Sequence, residues 1–127
     1  MSRRARATGL ALLLAFAGGA RAHTVPPAEL VRELNGPAGR NLGVEGATRD
    51  EKAPRLLVVR VGAPWYRLSA ERRRDEALAW LKTWRDTVPT GLVAVLDART
   101  DRPVVRFGPG GAVVGVDPDP KLGETAP

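Results

Sequence analysis

Two short apolar runs, separated by one long amphipathic stretch, most constrain how this chain can fold. Arg55-Leu56-Leu57-Val58-Val59-Arg60-Val61 holds a continuous β-branched run, the pattern of a strand covered on both faces. Leu92-Val93-Ala94-Val95-Leu96 is a second such run. Between them, Ser69 is placed as an N-cap with Glu71 in the first turn. Ala77, Leu81, Trp84 and Val88 then fall on one helical stripe with Trp80 beside it, until Pro89 and Gly91 end the helix. A helix joining two strands implies a crossover, which allows those strands to run parallel.

Two further strands follow. Val104-Val105-Arg106-Phe107 pairs back across the polar turn from Asp97 to Pro103, and Ala112-Val113-Val114-Gly115-Val116 returns after Gly108-Pro109-Gly110-Gly111. Before the first strand, Pro27 to Leu34 reads as a short helix with Leu30, Val31 and Leu34 on one face. Gly36 to Pro54 reads as a loop. The expected fold is α+β: a small mixed or antiparallel sheet of about four strands, β-α-β-β-β after a short N-terminal helix, with one long helix packed on one face. The expected organisation is a signal peptide over 1–22, a leader, short helix and loop over 23–54, the α+β domain over 55–116, and a disordered tail over 117–127.

The N-terminus carries an export pattern. Arg3, Arg4 and Arg6 form a positive region, Leu10 to Phe16 an apolar stretch too short to span a bilayer, and Ala20-Arg21-Ala22 a small-residue cleavage site. Ser2-Arg3-Arg4 is followed by Ala5, Arg6 and Ala7 rather than by the residues of a twin-arginine signal, so the general secretory route is preferred. The chain is thus expected to be periplasmic or secreted. Removing 22 of the 127 residues leaves 105, enough for one domain with a modest core. It also removes four of the 20 basic residues and no acid; 16 bases then face 14 acids, a net charge of +2 rather than +6. A chain so near neutrality offers no global field for nucleic acid.

Residue types narrow the chemistry. There is no cysteine, which excludes disulfide staples, thiol catalysis and thiolate metal sites. After cleavage one serine, Ser69, and one histidine, His23, remain. Ser69 is committed to a cap and His23 lies far away in sequence, so a Ser-His-acid triad lacks its geometry. Gly108-Pro109-Gly110-Gly111 precedes a strand rather than a helix and has no lysine, so it reads as a hairpin turn and not a phosphate loop. Carboxylates survive the exclusion: Asp97 and Asp101 flank one hairpin, and Asp75 and Glu76 lie on the helix, the raw material of a carboxylate-based hydrolase.

Cleavage after Ala22 makes His23 the mature N-terminal residue, whose amino group and imidazole can chelate copper. This end resembles the histidine brace of copper monooxygenases, but the brace needs a second histidine that the chain lacks, so catalysis does not carry over. No other cofactor is expected.

The remaining candidates are aromatic and cationic. Trp80 and Trp84, one turn apart, read as core. Trp65 and Tyr66 sit in a loop beside Arg67, the composition of a binding hot spot, although Trp65 serves equally as a lid on the core. Arg72, Arg73 and Arg74 occupy the first turns of the long helix, where cations oppose the helix dipole; a solvated face or a patch for an acidic partner or anionic headgroups accounts for them. The expectation is a non-enzymatic exported module that binds another periplasmic or secreted protein through Trp65, Tyr66, Arg67, Arg72, Arg73 and Arg74.

Overall fold

The computed structural model describes residues 25–120. The chain opens with helix α1 (Pro27–Leu34) and the single turn α2 (Pro37–Asn41), then forms strands β1 (Val44–Arg49) and β2 (Leu56–Val61). A short helix α3 (Ala63–Arg67) leads into the long α4 (Ala70–Thr87), followed by β3 (Leu92–Asp97), β4 (Val105–Phe107) and β5 (Val113–Val116). β1 lies antiparallel to β2, and β2 lies parallel to β3, with Leu56 opposite Leu92 and Val61 opposite Asp97. The crossover read from the sequence is therefore present. β4 and β5 form an antiparallel pair, linked to β3 through the single bridge between Leu96 and Pro103. The architecture is a mixed α+β fold with one long helix, as the apolar pattern predicts.

Ser69 does cap α4: its hydroxyl accepts the Arg72 main-chain N–H at 3.0 Å. One buried cluster joins Leu30 and Leu34 of α1, Trp80, Leu81 and Trp84 of α4, and Leu57, Val59 and Val61 of β2. Each such side chain contributes roughly 1.5–3 kcal/mol when fully withdrawn from water. The Trp84 indole N–H is satisfied within this core by the Arg55 carbonyl at 2.8 Å.

Three expectations need correction. The first strand is covered on one face only. Leu57, Val59 and Val61 are fully buried, while Leu56 and Val58 are half-buried and Arg60 is exposed. A β-branched run satisfies a half-open face as well as a closed one. Second, the segment from Gly36 to Pro54 is not a loop but holds α2 and β1. Only Val44 and Ala47 of β1 are buried, too few to mark a strand by alternation. Its outer edge is closed by a side chain: Asn35 Nδ2 donates to the Ala47 carbonyl at 2.9 Å, and the Ala47 N–H donates to Asn35 Oδ1 at 2.8 Å. The amide thus stands in for a neighbouring strand and blunts the edge. Third, residues 117–120 are not a loose tail. The Asp117 N–H donates to the Val104 carbonyl at 2.9 Å and extends the β4–β5 pairing, and Pro120 is buried. Residues 1–24, with the signal peptide and His23, and residues 121–127 lie outside the described residues.

Candidate binding site

The carboxyl ends of the parallel strands β2 and β3 are where an open α/β crossover gathers its loops, and ligands favour that edge. From β2 the chain turns through Gly62 into α3, and from β3 it turns at Asp97 toward β4. These two connections place Tyr66 beside Asp97.

Asp97 has no exposed surface, yet it is charged and saturated with donors. Tyr66 Oη donates to its Oδ1 at 2.7 Å, and Arg99 Nη2 to the same oxygen at 3.0 Å. Its Oδ2 accepts the Arg99 and Thr100 main-chain N–H groups at 3.0 and 2.9 Å and the Thr100 hydroxyl at 3.0 Å. Burial alone would raise this carboxyl. The hydrogen bonds from Tyr66, Arg99 and Thr100 outweigh it and lower the group to about 2. For Tyr66 the forces add in the other direction. Burial, the bond to Asp97 and the negative charges of Asp97 and Asp119 push its phenol above the ordinary range. The hydrogen bonds to Asp97 and Asp119 raise Arg99 further still. The guanidinium of Arg99 also lies over the Tyr66 ring, 6.0 Å from its centroid.

This network has a structural consequence. Asp97 accepts main-chain N–H groups two and three residues ahead, the pattern of an Asx turn, and so shapes the tight reversal between β3 and β4. The Asp101 N–H closes the same turn on the Asp97 carbonyl at 2.8 Å, and Asp101 takes a positive φ of 61°. Its carboxylate pairs with Arg60 of β2. Asp97 and Asp101 are thus each engaged with their own partners. Among the described residues no three His, Cys, Asp or Glu side chains gather into a group able to hold a metal ion.

The sequence-derived contact residues separate into two sets. Trp65 is not on the surface: it is fully buried and stacks on Trp80, with ring centroids 5.3 Å apart and planes inclined by 26°. Gly43 makes this possible. It has a φ of 94°, and a Cβ there would lie 2.3 Å from the Trp65 main-chain nitrogen. The Trp65 indole N–H is buried with no acceptor among the described residues, so the ring is held by packing alone. Arg73 is also withdrawn, at 9% exposure, and donates through Nη1 to the Asp117 carbonyl at 2.7 Å. Helical geometry explains the difference from its neighbours, since three consecutive residues cannot share one face.

Arg67, Arg72 and Arg74 are exposed as expected, and Tyr66 is half-buried. Arg72 pairs with Glu76 at 2.9 Å. Arg67 and Arg74 make no side-chain hydrogen bond or ion pair among the described residues. The sequence reading missed Asp97 as an organising residue, and it missed Arg99. An aspartate two and three residues before a polar Arg99-Thr100 pair was the available signal.

Compared with protein-family models, with curated proteins and with solved structures, the chain matches none.

Proposed function

We propose that this chain is an exported, non-enzymatic module that binds an acidic segment of another protein through exposed arginines of α3 and α4, Arg67, Arg72 and Arg74, with Tyr66 next to Arg67. The observation that carries the reading is the pair Arg67 and Arg74, on either side of the junction between α3 and α4: two exposed guanidiniums with no acceptor among the described residues. Arg74 lies in the N-terminal half of α4, where a cation gains nothing from the helix dipole, and Arg67 closes the five-residue α3. Guanidiniums favour carboxylate partners through two-pronged hydrogen bonds.

The non-enzymatic reading is supported by how the remaining reactive groups are used. The Ser69 hydroxyl is spent on capping α4. Asp97 is buried, saturated and ionised, which suits a scaffold and not a proton donor. Export rests on residues 1–22 alone.

The test is capture from the exported fraction. The mature chain and its Arg67→Gln/Arg74→Gln variant are immobilised side by side. Proteins retained by the first and released by the second, and eluted by moderate salt, support the reading. Identical sets of captured proteins refute it, and retention of anionic vesicles alone would assign the face to a membrane surface instead. An intact mass that begins at His23 checks the export step.

A further inference from the structure

The parallel pair β2 and β3 leaves one face uncovered. Leu57, Val59, Val93 and Val95 turn inward to the core, and the alternate residues form an outer apolar strip. In register, Leu56 lies opposite Leu92 and Val58 opposite Ala94, with Leu96 continuing the strip. Parallel strands are ordinarily covered on both faces. Here Leu92 is 47% exposed, one of two large apolar side chains left so open among the described residues.

At the start of the strip, Ala53, Pro54, Arg55, Leu56 and Leu92 line a cavity of about 320 Å³. Arg55 is the one charged residue lining it, and its guanidinium makes no side-chain hydrogen bond or ion pair among the described residues. At the other end of the strip Arg60, in register with Leu96, is already paired with Asp101. The unanswered charge therefore lies at the Arg55 end. The main-chain carbonyls of the rim, by contrast, are all engaged. Those of Ala53, Arg55 and Leu56 accept the Leu56, Leu92 and Asp50 N–H groups at 2.8, 2.8 and 3.2 Å, and that of Pro54 accepts Arg49 Nε at 2.7 Å. A peptide laid on these residues would find those carbonyls taken, whereas a hydrocarbon chain needs no hydrogen bond.

We infer that this strip is a binding site for an aliphatic carboxylate of medium chain length. The carboxylate meets the Arg55 guanidinium, whose forked donors match its two oxygens. The hydrocarbon chain lies over Leu92, Leu56, Val58 and Ala94, where each methylene withdrawn from water adds to the binding. From Leu92 to Leu96 a strand rises about 13 Å, which accommodates extended decanoate. The site is separate from the arginines of α3 and α4 and does not depend on their role.

Decanoate, below the concentration at which it forms micelles, is titrated by calorimetry into the intact mature chain and into three variants: Arg55→Gln, Leu92→Asp and Arg67→Gln/Arg74→Gln. Urea midpoints confirm that each is folded. The expected result is saturable binding to the parent, weakened about tenfold in Arg55→Gln, lost in Leu92→Asp and unchanged in Arg67→Gln/Arg74→Gln. Decanol, which keeps the chain and drops the charge, should bind parent and Arg55→Gln equally, and acetate should bind neither. Absence of decanoate binding to the parent, equal affinity for parent and Arg55→Gln, or the same loss in Arg67→Gln/Arg74→Gln would overturn the site. Tighter binding of a peptide ending in leucine than of decanoate would assign the cavity to a protein terminus and overturn the aliphatic ligand.

Discussion

Replacing Asp97 by asparagine tests the physical core of the site. In the native fold its carboxyl is lowered from 3.8 to about 2, which by linkage amounts to about 2 kcal/mol. A depressed carboxyl stabilises the fold above its unfolded-state value and loses that contribution as pH falls through the folded-state value. The contribution should thus be complete at pH 5 and above and disappear between about pH 4 and pH 2. Asparagine cannot reproduce the pattern. Its NH2 group would have to replace Oδ2, which faces two main-chain N–H donors, or Oδ1, which faces the Arg99 guanidinium. Only the Tyr66 hydroxyl can reverse and accept. The variant is expected to lose about 2 kcal/mol at pH 7, roughly 10 °C in Tm for a domain of this size. The assay is urea unfolding of parent and variant across pH 2 to 7. Other carboxylates titrate alike in both proteins and cancel in the difference. A stability gap that stays constant down to pH 2 would refute the assignment of Asp97 as a buried, ionised hub.

Three further outcomes are expected. Trp65→Ala should cost about 3–5 kcal/mol in urea unfolding, because the ring is fully buried against Trp80; a loss below 1 kcal/mol would return Trp65 to the surface. Ser69→Ala should cost about 1 kcal/mol through the lost cap on α4 and leave binding of an acidic peptide unchanged. If His23 is a copper site, the mature chain beginning at His23 should bind copper, by calorimetry, far better than one extended by a single N-terminal glycine, and equal affinities would dispose of a site there.

How much of this could be read from the sequence follows from how local each signal is. The α4 stripe of Ala77, Leu81 and Trp84, the Ser69 cap and the two parallel strands depend on spacing within a few residues, and all are found where expected. β1 escaped because just two of its residues point inward, and the Asn35 amide that completes its edge lies on the far side of α2. Trp65 was ambiguous because an aromatic between proline and arginine reads the same in a lid and in a contact surface. Its burial is decided by Gly43, remote in sequence. Within the arginine run, sequence gave three equivalent cations, and the fold separates Arg73 from its neighbours by turning it toward Asp117. The acidic Asp117–Pro120 stretch has the composition of a disordered tail, and what holds it lies elsewhere in the sequence: the Val104 carbonyl and arginines of three elements.

The central claim is that Arg67 and Arg74 recognise carboxylates of a partner and do not serve the fold. The most direct measurement is calorimetric titration of the intact mature chain and of Arg67→Gln/Arg74→Gln with a glutamate-rich peptide at low and at moderate salt. Glutamine keeps most of the side-chain length and removes the charge. The expected result is a loss of at least tenfold in affinity, about 1.4 kcal/mol, with a weaker salt dependence in the variant and an unchanged urea midpoint. Equal affinity and equal salt dependence in the two proteins would contradict the account.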